Sequence, residues 1–133
     1  MPSRKPRVVL DTDVASKLWR NKLDQPSRQK LVGMTAVLTY ITIAEWWQWA
    51  HHRGWGQVKI SEMRTYTGNF ELLHCDNEVV KTWGRLSGLA MKAGATVPGN
   101  DCWIAACCVV HGLPLLTHDQ DFKPLEAQGL RLL

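Results

Sequence analysis

The sequence predicts an α/β/α sandwich, in which helices cover both faces of a central parallel sheet of four to five strands. Short apolar and β-branched runs alternate along the chain with longer segments whose apolar residues recur at helical spacing. This alternation is typical of parallel sheets that are covered on both faces. The 133 residues suffice for one hydrophobic core, so we expect a single domain over residues 1–133.

The first half of the chain predicts two strand-helix units and a further helix. Arg7–Leu10 predicts a buried strand that ends at Asp11, and Val14 and Leu18 recur at helical spacing after it. Pro26 breaks this helix, and we expect Ser27 to cap a short piece that runs to Leu31. Residues 36–42 alternate and predict the second strand, residues 43–53 a helix that ends at Gly54, and residues 58–66 another helix.

The second half predicts two more units of the same kind. Residues 70–74 form a short strand, and Asp76 is expected to cap a long amphipathic helix that ends at Gly94. Asp101 then opens a helix that is apolar almost all round and that Gly112 ends. Residues 113–116 predict a strand that delivers Asp119, and residues 130–133 a last edge strand.

The composition indicates a globular protein. The hydrophobic fraction of 45% and the charged fraction of 21% are typical of globular proteins. No apolar run approaches the ~20 residues of a membrane span, and the basic stretch over residues 1–7 is followed by too short an apolar run for a signal peptide. We therefore expect a cytoplasmic protein without a membrane partner. The cysteines lack zinc-site spacing and have apolar neighbours, which predicts buried free thiols: Cys75, Cys102, Cys107 and Cys108.

Four acidic residues are predicted to meet at one rim of the sheet. Asp11 and Asp119 follow strands, whose carboxyl ends are where ligands bind in such sheets, whereas Glu45 and Asp101 lie in the first turns of helices. Carboxylates so close together repel one another unless a cation offsets their charge. Oxygen ligands select Mg²⁺ or Mn²⁺ over zinc, and these ions activate water against phosphodiesters. The pattern predicts metal-dependent phosphodiester hydrolysis.

Four motifs carry a resemblance to a known family: Val9-Leu10-Asp11-Thr12-Asp13-Val14, Ile43-Ala44-Glu45, Asp101-x-x-Ile104-Ala105-Ala106 and Leu116-Thr117-His118-Asp119-Gln120-Asp121-Phe122. In this order they resemble a PIN domain of the VapC toxin type, over nearly the whole chain. The resemblance implies an endoribonuclease that uses Mg²⁺ or Mn²⁺, cuts RNA as the toxin of a VapBC-type toxin-antitoxin system, and is neutralised by a VapB-type antitoxin. It also implies a homodimer.

The resemblance assigns catalytic and metal-binding roles to Asp11, Glu45, Asp101 and Asp119, which fall on the four acidic positions of the family. Asp13 stands where many members have Asn. Asp121 is interpreted as a turn or cap residue beside the site. Glu45 also has a second interpretation, because Thr42 precedes it by three residues and this spacing is that of a capping box.

Other residues leave alternatives open. Thr12 and Thr117 either bind carboxylates or substrate or are ordinary turn hydroxyls, and His118 is not needed by an oxygen-ligand site. Trp46, Trp47 and Trp49 cannot all point the same way from one helix, and we favour partner contact over base stacking for the exposed one. A net charge of +4 permits a polyanionic partner, and basic residues near the first strand are candidates to guide RNA: Arg4, Lys5, Arg7, Lys17 and Arg20.

The sequence leaves two other functions open. The first is a non-catalytic binding module of the same fold, against which the concentration of carboxylates argues. The second is a phosphatase with Asp11 as the nucleophile of an Asp-x-Asp motif. The chain lacks an obvious downstream lysine and acidic pair in the order that this mechanism requires.

Overall fold

A computed structural model describes residues 5–133. Its centre is a parallel sheet in the order β3-β2-β1-β4, which confirms the predicted class. The strands are β1 (Arg7–Leu10), β2 (Thr35–Thr39), β3 (Glu71–Leu73) and β4 (Leu115–Leu116). Because β1 pairs with β4 on one side and with β2 on the other, the residues that follow β1 and β4 emerge side by side.

Helices cover both faces of this sheet. They are α1 (Thr12–Trp19), α2 (Gln25–Leu31), α3 (Tyr40–His52), α4 (Gln57–Thr67), α5 (Asn77–Lys92), α6 (Gly99–His111) and a 3-10 helix (Gln120–Gln128). Val9 and Val37 pack into a core with α5, α6 and the 3-10 helix, whereas Val8 and Leu38 pack into a second core with α1, α3 and α4. This two-residue alternation along the strands produces the sandwich. Within residues 5–133, no helix is long and apolar enough to cross a membrane.

The largest correction concerns the start of α3. The strand expected over residues 36–42 ends at Thr39, and Thr42 lies buried inside α3 rather than capping it. The capping-box interpretation of Glu45 is therefore wrong. The β-branched residues at positions 41–43 favour a strand locally, but the buried residues Thr42, Trp46 and Ala50 recur every four residues, as on one face of a helix.

Other boundaries also differ from the prediction. Asp24, not Ser27, caps α2, and its Oδ2 accepts a hydrogen bond from the Ser27 amide at 3.0 Å. The strand expected over residues 113–116 is limited to Leu115–Leu116. Residues 130–133 make a single parallel bridge, between Leu115 and Leu132, instead of a strand. The 3-10 helix was not predicted.

Several local predictions are confirmed. Asp76 caps α5, because its Oδ1 accepts from the Val79 amide at 2.9 Å. Gly112 ends α6 with a positive φ of 65°, a conformation that glycine adopts without steric cost. Three of the cysteines are free and buried, as expected, but Cys75 is exposed.

Candidate active site

The four predicted acids line one cavity of about 420 Å³ at the carboxyl-end rim of the sheet. Its other lining residues are Thr12, Asp13, Trp49, Ile104 and His118. The acids come from separate segments: Asp11 follows β1, Asp119 follows β4, Glu45 lies on α3 and Asp101 lies on α6. The predicted proximity is thus present in the structure.

Asp11 is the most enclosed of these acids, with 5% of its surface exposed. It is the N-cap of α1, and its Oδ1 accepts from the Val14 amide at 2.8 Å. Its Oδ2 accepts from the Thr117 hydroxyl. Burial raises the pKa of Asp11, and these two hydrogen bonds oppose that rise by stabilising the carboxylate. Thr117 is therefore a carboxylate partner rather than an ordinary turn hydroxyl.

Asp101 lies in the first turn of α6, but it does not cap the helix, since Pro98 occupies the N-cap position. Burial raises its pKa to about 7, and the negative charges of Asp119, Asp11, Asp121 and Glu45 contribute in that order. Part of the Asp101 population therefore holds a proton near neutral pH when no cation is bound. Burial is thus the main cause of the raised pKa, and repulsion by the surrounding carboxylates adds to it.

Asp121 lies close to Asp119 and adds a further carboxylate to the four predicted ones. The Asp119 amide donates to the Thr117 hydroxyl at 2.9 Å, and Asp119 Oδ1 accepts from the Asp121 amide at 2.9 Å. One oxygen from each of Asp101, Asp119 and Asp121 lies within 4.8 Å of the other two. Asp121, which the sequence interpretation treated as a turn residue, thus belongs to the carboxylate cluster. The available signal was its spacing of two from Asp119, which also suits a turn.

Glu45 is held by a pair of threonines. Thr12 Oγ1 donates to Glu45 Oε1 at 2.8 Å, and Thr42 Oγ1 lies 2.9 Å from Thr12 Oγ1. Because Thr12 has one hydroxyl proton and gives it to Glu45, the Thr42 hydroxyl must be the donor to Thr12. Thr42, expected to cap α3, instead orients the hydroxyl that fixes Glu45.

His118 is tied to the helices beside the cavity. Its Nε2 lies 2.7 Å from Ser27 Oγ and 3.0 Å from Asp24 Oδ1, and its Nδ1 lies 3.5 Å from Lys17 Nζ. These contacts link the loop after β4 to α1 and α2. The imidazole therefore has a structural role in positioning the loop that carries Asp119.

Basic residues near β1 have different environments. Arg4 lies outside the described residues, and Lys5 is exposed. Arg7 pairs with Glu71, and Lys17 pairs with Asp13 at 2.9 Å, so both charges are partly offset. Arg20 is exposed and lines a second cavity.

The three tryptophans of α3 point in different directions, as the helical spacing predicted. Trp46 is 1% exposed, and its Nε1 donates to Ser16 Oγ at 2.9 Å. Trp47 is half-buried in a groove beside Phe70 on the other side of α3. Trp49 is half-buried and forms part of the wall of the acidic cavity.

Comparison with known proteins agrees with this architecture. The PIN domain family matches residues 8–127. The chain is 30% identical to ribonuclease VapC4 of Mycobacterium tuberculosis, over 90% of this chain and 91% of that protein. The structure of VapBC-5 from the same organism aligns with a TM-score of 0.69 and 27% identity, over 95% and 98% of the two chains.

A second solved structure, VapBC2 from Rickettsia felis bound to a DNA fragment from its promoter, shares the fold at lower identity. It aligns with a TM-score of 0.80 and 18% identity, over 96% of this chain and 97% of that one. The family match covers most of the chain and includes all four predicted acids. This chain therefore belongs to the PIN domain family.

Proposed function

We propose that this protein is a metal-dependent endoribonuclease and the toxin of a VapBC-type toxin-antitoxin system. The observation that carries the proposal is the convergence of Asp11, Glu45, Asp101 and Asp119 on one cavity, with Asp121 beside them. A cluster of unneutralised carboxylates is unfavourable for stability, as the raised pKa of Asp101 indicates. Such a cluster is therefore better explained by the binding of a cation than by packing.

The side chains present fit a hard divalent cation. Oxygen atoms of Asp101, Asp119 and Asp121 lie within 4.8 Å of one another, and carboxylate oxygens are the ligands of Mg²⁺ and Mn²⁺. When bound, such an ion would supply Lewis-acid stabilisation of the phosphate and activation of a water molecule. We assign Asp11, Glu45, Asp101 and Asp119 as the residues that hold it, with Asp121 as an additional candidate.

The chain prepares these ligands by hydrogen bonds from outside the cluster. Thr117 and the Val14 amide orient Asp11, and Thr12 orients Glu45. Such outer contacts fix the direction in which each ligand points. Asp101 must lose its proton before its carboxylate becomes a full ligand, which makes cation binding weaker below about pH 7.

The partners follow from the relatives. Ribonuclease VapC4 is named for RNA cleavage, and we assign RNA as the substrate of this chain by that likeness. The structural relatives belong to VapBC toxin-antitoxin systems, which suggests a VapB-type antitoxin as the protein partner. A homodimer and a cytoplasmic location stay predictions. The Asp-x-Asp phosphatase gains no support, because the chain is a PIN domain and no lysine is among the described residues that line the cavity.

The direct test is to incubate the purified protein with single-stranded and structured RNAs in Mg²⁺, in Mn²⁺ or in EDTA. We expect internal cleavage with either ion and none in EDTA. Mapping of the new RNA ends identifies the preferred sites. Cleavage that persists in EDTA would contradict the metal mechanism, whereas millimolar metal that neither supports cleavage nor raises the melting temperature would favour the non-catalytic module.

Replacement of Thr12 by Val is expected to weaken Mn²⁺ binding by about 10- to 100-fold, the usual cost of removing a hydrogen bond behind a metal ligand. Val preserves the shape of Thr12 but cannot donate to Glu45. Isothermal titration with Mn²⁺ measures the effect. The matched control is Thr65→Val, an exposed threonine on α4 that does not line the cavity. Equal Mn²⁺ affinity in Thr12→Val and the unmodified protein would exclude this positioning role.

A further inference from the structure

A second cavity, of about 240 Å³, adjoins the acidic one. Asp13 and Trp49 line both, so the two cavities share a wall. The second cavity lies between α1, the end of α3 and the start of α4. Only Asp13 and Trp49 are shared with the acidic cavity, and none of the residues that line the second cavity is among those assigned to the metal. Its function is therefore not explained by catalysis.

Four of the nine residues that line this second cavity are tryptophans. Trp19, Trp49 and Trp55 are each half-buried and line it. Trp19 stacks on Tyr66 with ring centroids 5.5 Å apart and planes inclined by 15°, and it meets the edge of Trp55 at 6.2 Å. Buried Trp46 packs against Trp19 at 5.3 Å. These contacts hold the indoles of Trp19 and Trp55 in place before any ligand binds.

Three cations surround the indoles. The Arg53 guanidinium carbon lies 5.3 Å from the ring centroid of Trp49, and Lys59 Nζ lies 4.3 Å from that of Trp55. Arg20 completes the set on α1. Over residues 5–133, none of the three forms an ion pair with a carboxylate. They are thus available to an anion from solution.

The single acid of the second cavity does not cancel this charge. Asp13 lies at the wall shared with the acidic cavity and pairs with Lys17 at 2.9 Å. The cations Arg53, which is the C-cap of α3, and Lys59 on α4 form no ion pair with it. A ligand with one anionic group and one flat apolar group would therefore find complementary surfaces.

We propose that this second cavity binds one nucleotide of the RNA next to the cleaved bond, with its base among Trp19, Trp49 and Trp55 and its phosphate on Arg20, Arg53 and Lys59. The inference rests on the proposed function, since it takes the substrate to be RNA. Indoles combined with cations are the usual means of binding single-stranded nucleic acid. The volume, about 240 Å³, is below the ~300–1,000 Å³ of pockets for drug-sized ligands and suits a single base and its sugar.

The test uses short single-stranded RNAs that carry the fluorescent base 2-aminopurine at one position at a time. Binding is measured in Ca²⁺, and a gel confirms that the strand stays intact. For the unmodified protein we expect one or two adjacent positions to be quenched by indole stacking. Trp55→Ala should weaken binding about 5- to 150-fold, and the quenching at those positions should disappear. The matched control is Trp47→Ala on the opposite side of α3, for which binding should stay within about twofold.

The exposed cations supply a variant that does not threaten folding. In Arg53→Gln/Lys59→Gln, the slope of log affinity against log salt should fall by about 0.7 for each phosphate that the protein no longer neutralises. A purely structural role of these side chains would leave the slope unchanged. Melting temperatures of all variants show whether weaker binding reflects impaired folding.

Each outcome separates the two proposals. Suppose that the protein cleaves RNA, that Trp55→Ala binds RNA with unchanged affinity and that the double variant keeps its salt slope. These results would overturn the subsite but leave the proposed ribonuclease activity in place. Quenching that depends on Trp55, in a protein that cleaves no RNA, would support the subsite and reject the proposed activity. Failure of the unmodified protein to bind RNA would overturn the subsite. If Trp55→Ala binds RNA normally but no longer binds the antitoxin, the subsite would also be overturned. The second cavity would then be a binding site for the protein partner.

Discussion

Replacement of Asp101 by Asn is expected to raise the melting temperature of the metal-free protein at pH 8 and to lower RNA cleavage by at least about 100-fold. Loss of an outer hydrogen bond to a metal ligand costs about 10- to 100-fold, and loss of a ligand itself should cost more. The stabilisation arises because burial disfavours the charged form of Asp101, and because Asp119, Asp11, Asp121 and Glu45 also repel its carboxylate. Asn has nearly the same shape without the charge.

The raised pKa of Asp101 also predicts how stability depends on pH. The pKa of Asp101 rises from 3.8 in the unfolded chain to about 7 in the folded protein, so the folded state binds more protons between these values. The contribution of Asp101 to the stability of the metal-free protein must then fall as pH rises from about 4 through about 7, and it levels off only when the pH is well above the folded-state pKa. Melting temperatures in EDTA from pH 5 to pH 8 should therefore decline more in the unmodified protein than in Asp101→Asn.

Asp13→Asn is the matched control for this prediction. Asp13 also lines the cavity, but it is exposed and its charge is paired with Lys17. We expect this variant to cleave RNA and to keep the pH dependence of the unmodified protein. If Asp101→Asn and Asp13→Asn gave the same cleavage rate and the same pH profile, the special role of Asp101 would be rejected.

The position of the site follows from the sequence because it depends on topology. Strands of a parallel sheet end at the same rim, so the strand-helix alternation predicts that Asp11 and Asp119 share one rim. The pairing of β1 with β4, which the sequence does not predict, makes them neighbours there. Asp101 lies in the first turn of α6. The shared rim depends only on the order of helices and strands along the chain. Hydrophobic periodicity in the sequence predicts that order well.

Details that depend on packing were not available from local patterns. Thr42 was assigned to a cap because its spacing from Glu45 fits one, yet burial against Thr12 decided its position. Asp121 has the spacing of a turn residue, and only the unpredicted 3-10 helix brings its carboxylate to Asp101. Trp19, Trp49 and Trp55 come from three segments of the chain and line one cavity. No periodic spacing in the sequence predicts that they meet.

Trp46→Ala is expected to cost about 3–5 kcal/mol in the free energy of unfolding, the range for truncation of a large buried aromatic residue. Trp46 is 1% exposed and contacts Trp19 and Tyr66 with ring centroids 5.3 and 6.1 Å away. Truncation removes these contacts and leaves a cavity between α1, α3 and α4. Urea unfolding measures the loss as a lower midpoint with an unchanged slope.

Two further variants separate packing from hydrogen bonding at this position. Trp46→Phe keeps a large aromatic ring but removes the Nε1 donor to Ser16, so its cost should be intermediate. Trp47→Ala removes a tryptophan that is only half-buried on the same helix, and it should cost less than Trp46→Ala because less apolar surface returns to water. Equal costs for Trp46→Ala and Trp47→Ala would mean that Trp46 is not the side chain that joins α1 and α4 to α3. A larger cost for Trp46→Ala would mean that the packing of Trp46 holds the helices around the second cavity in place.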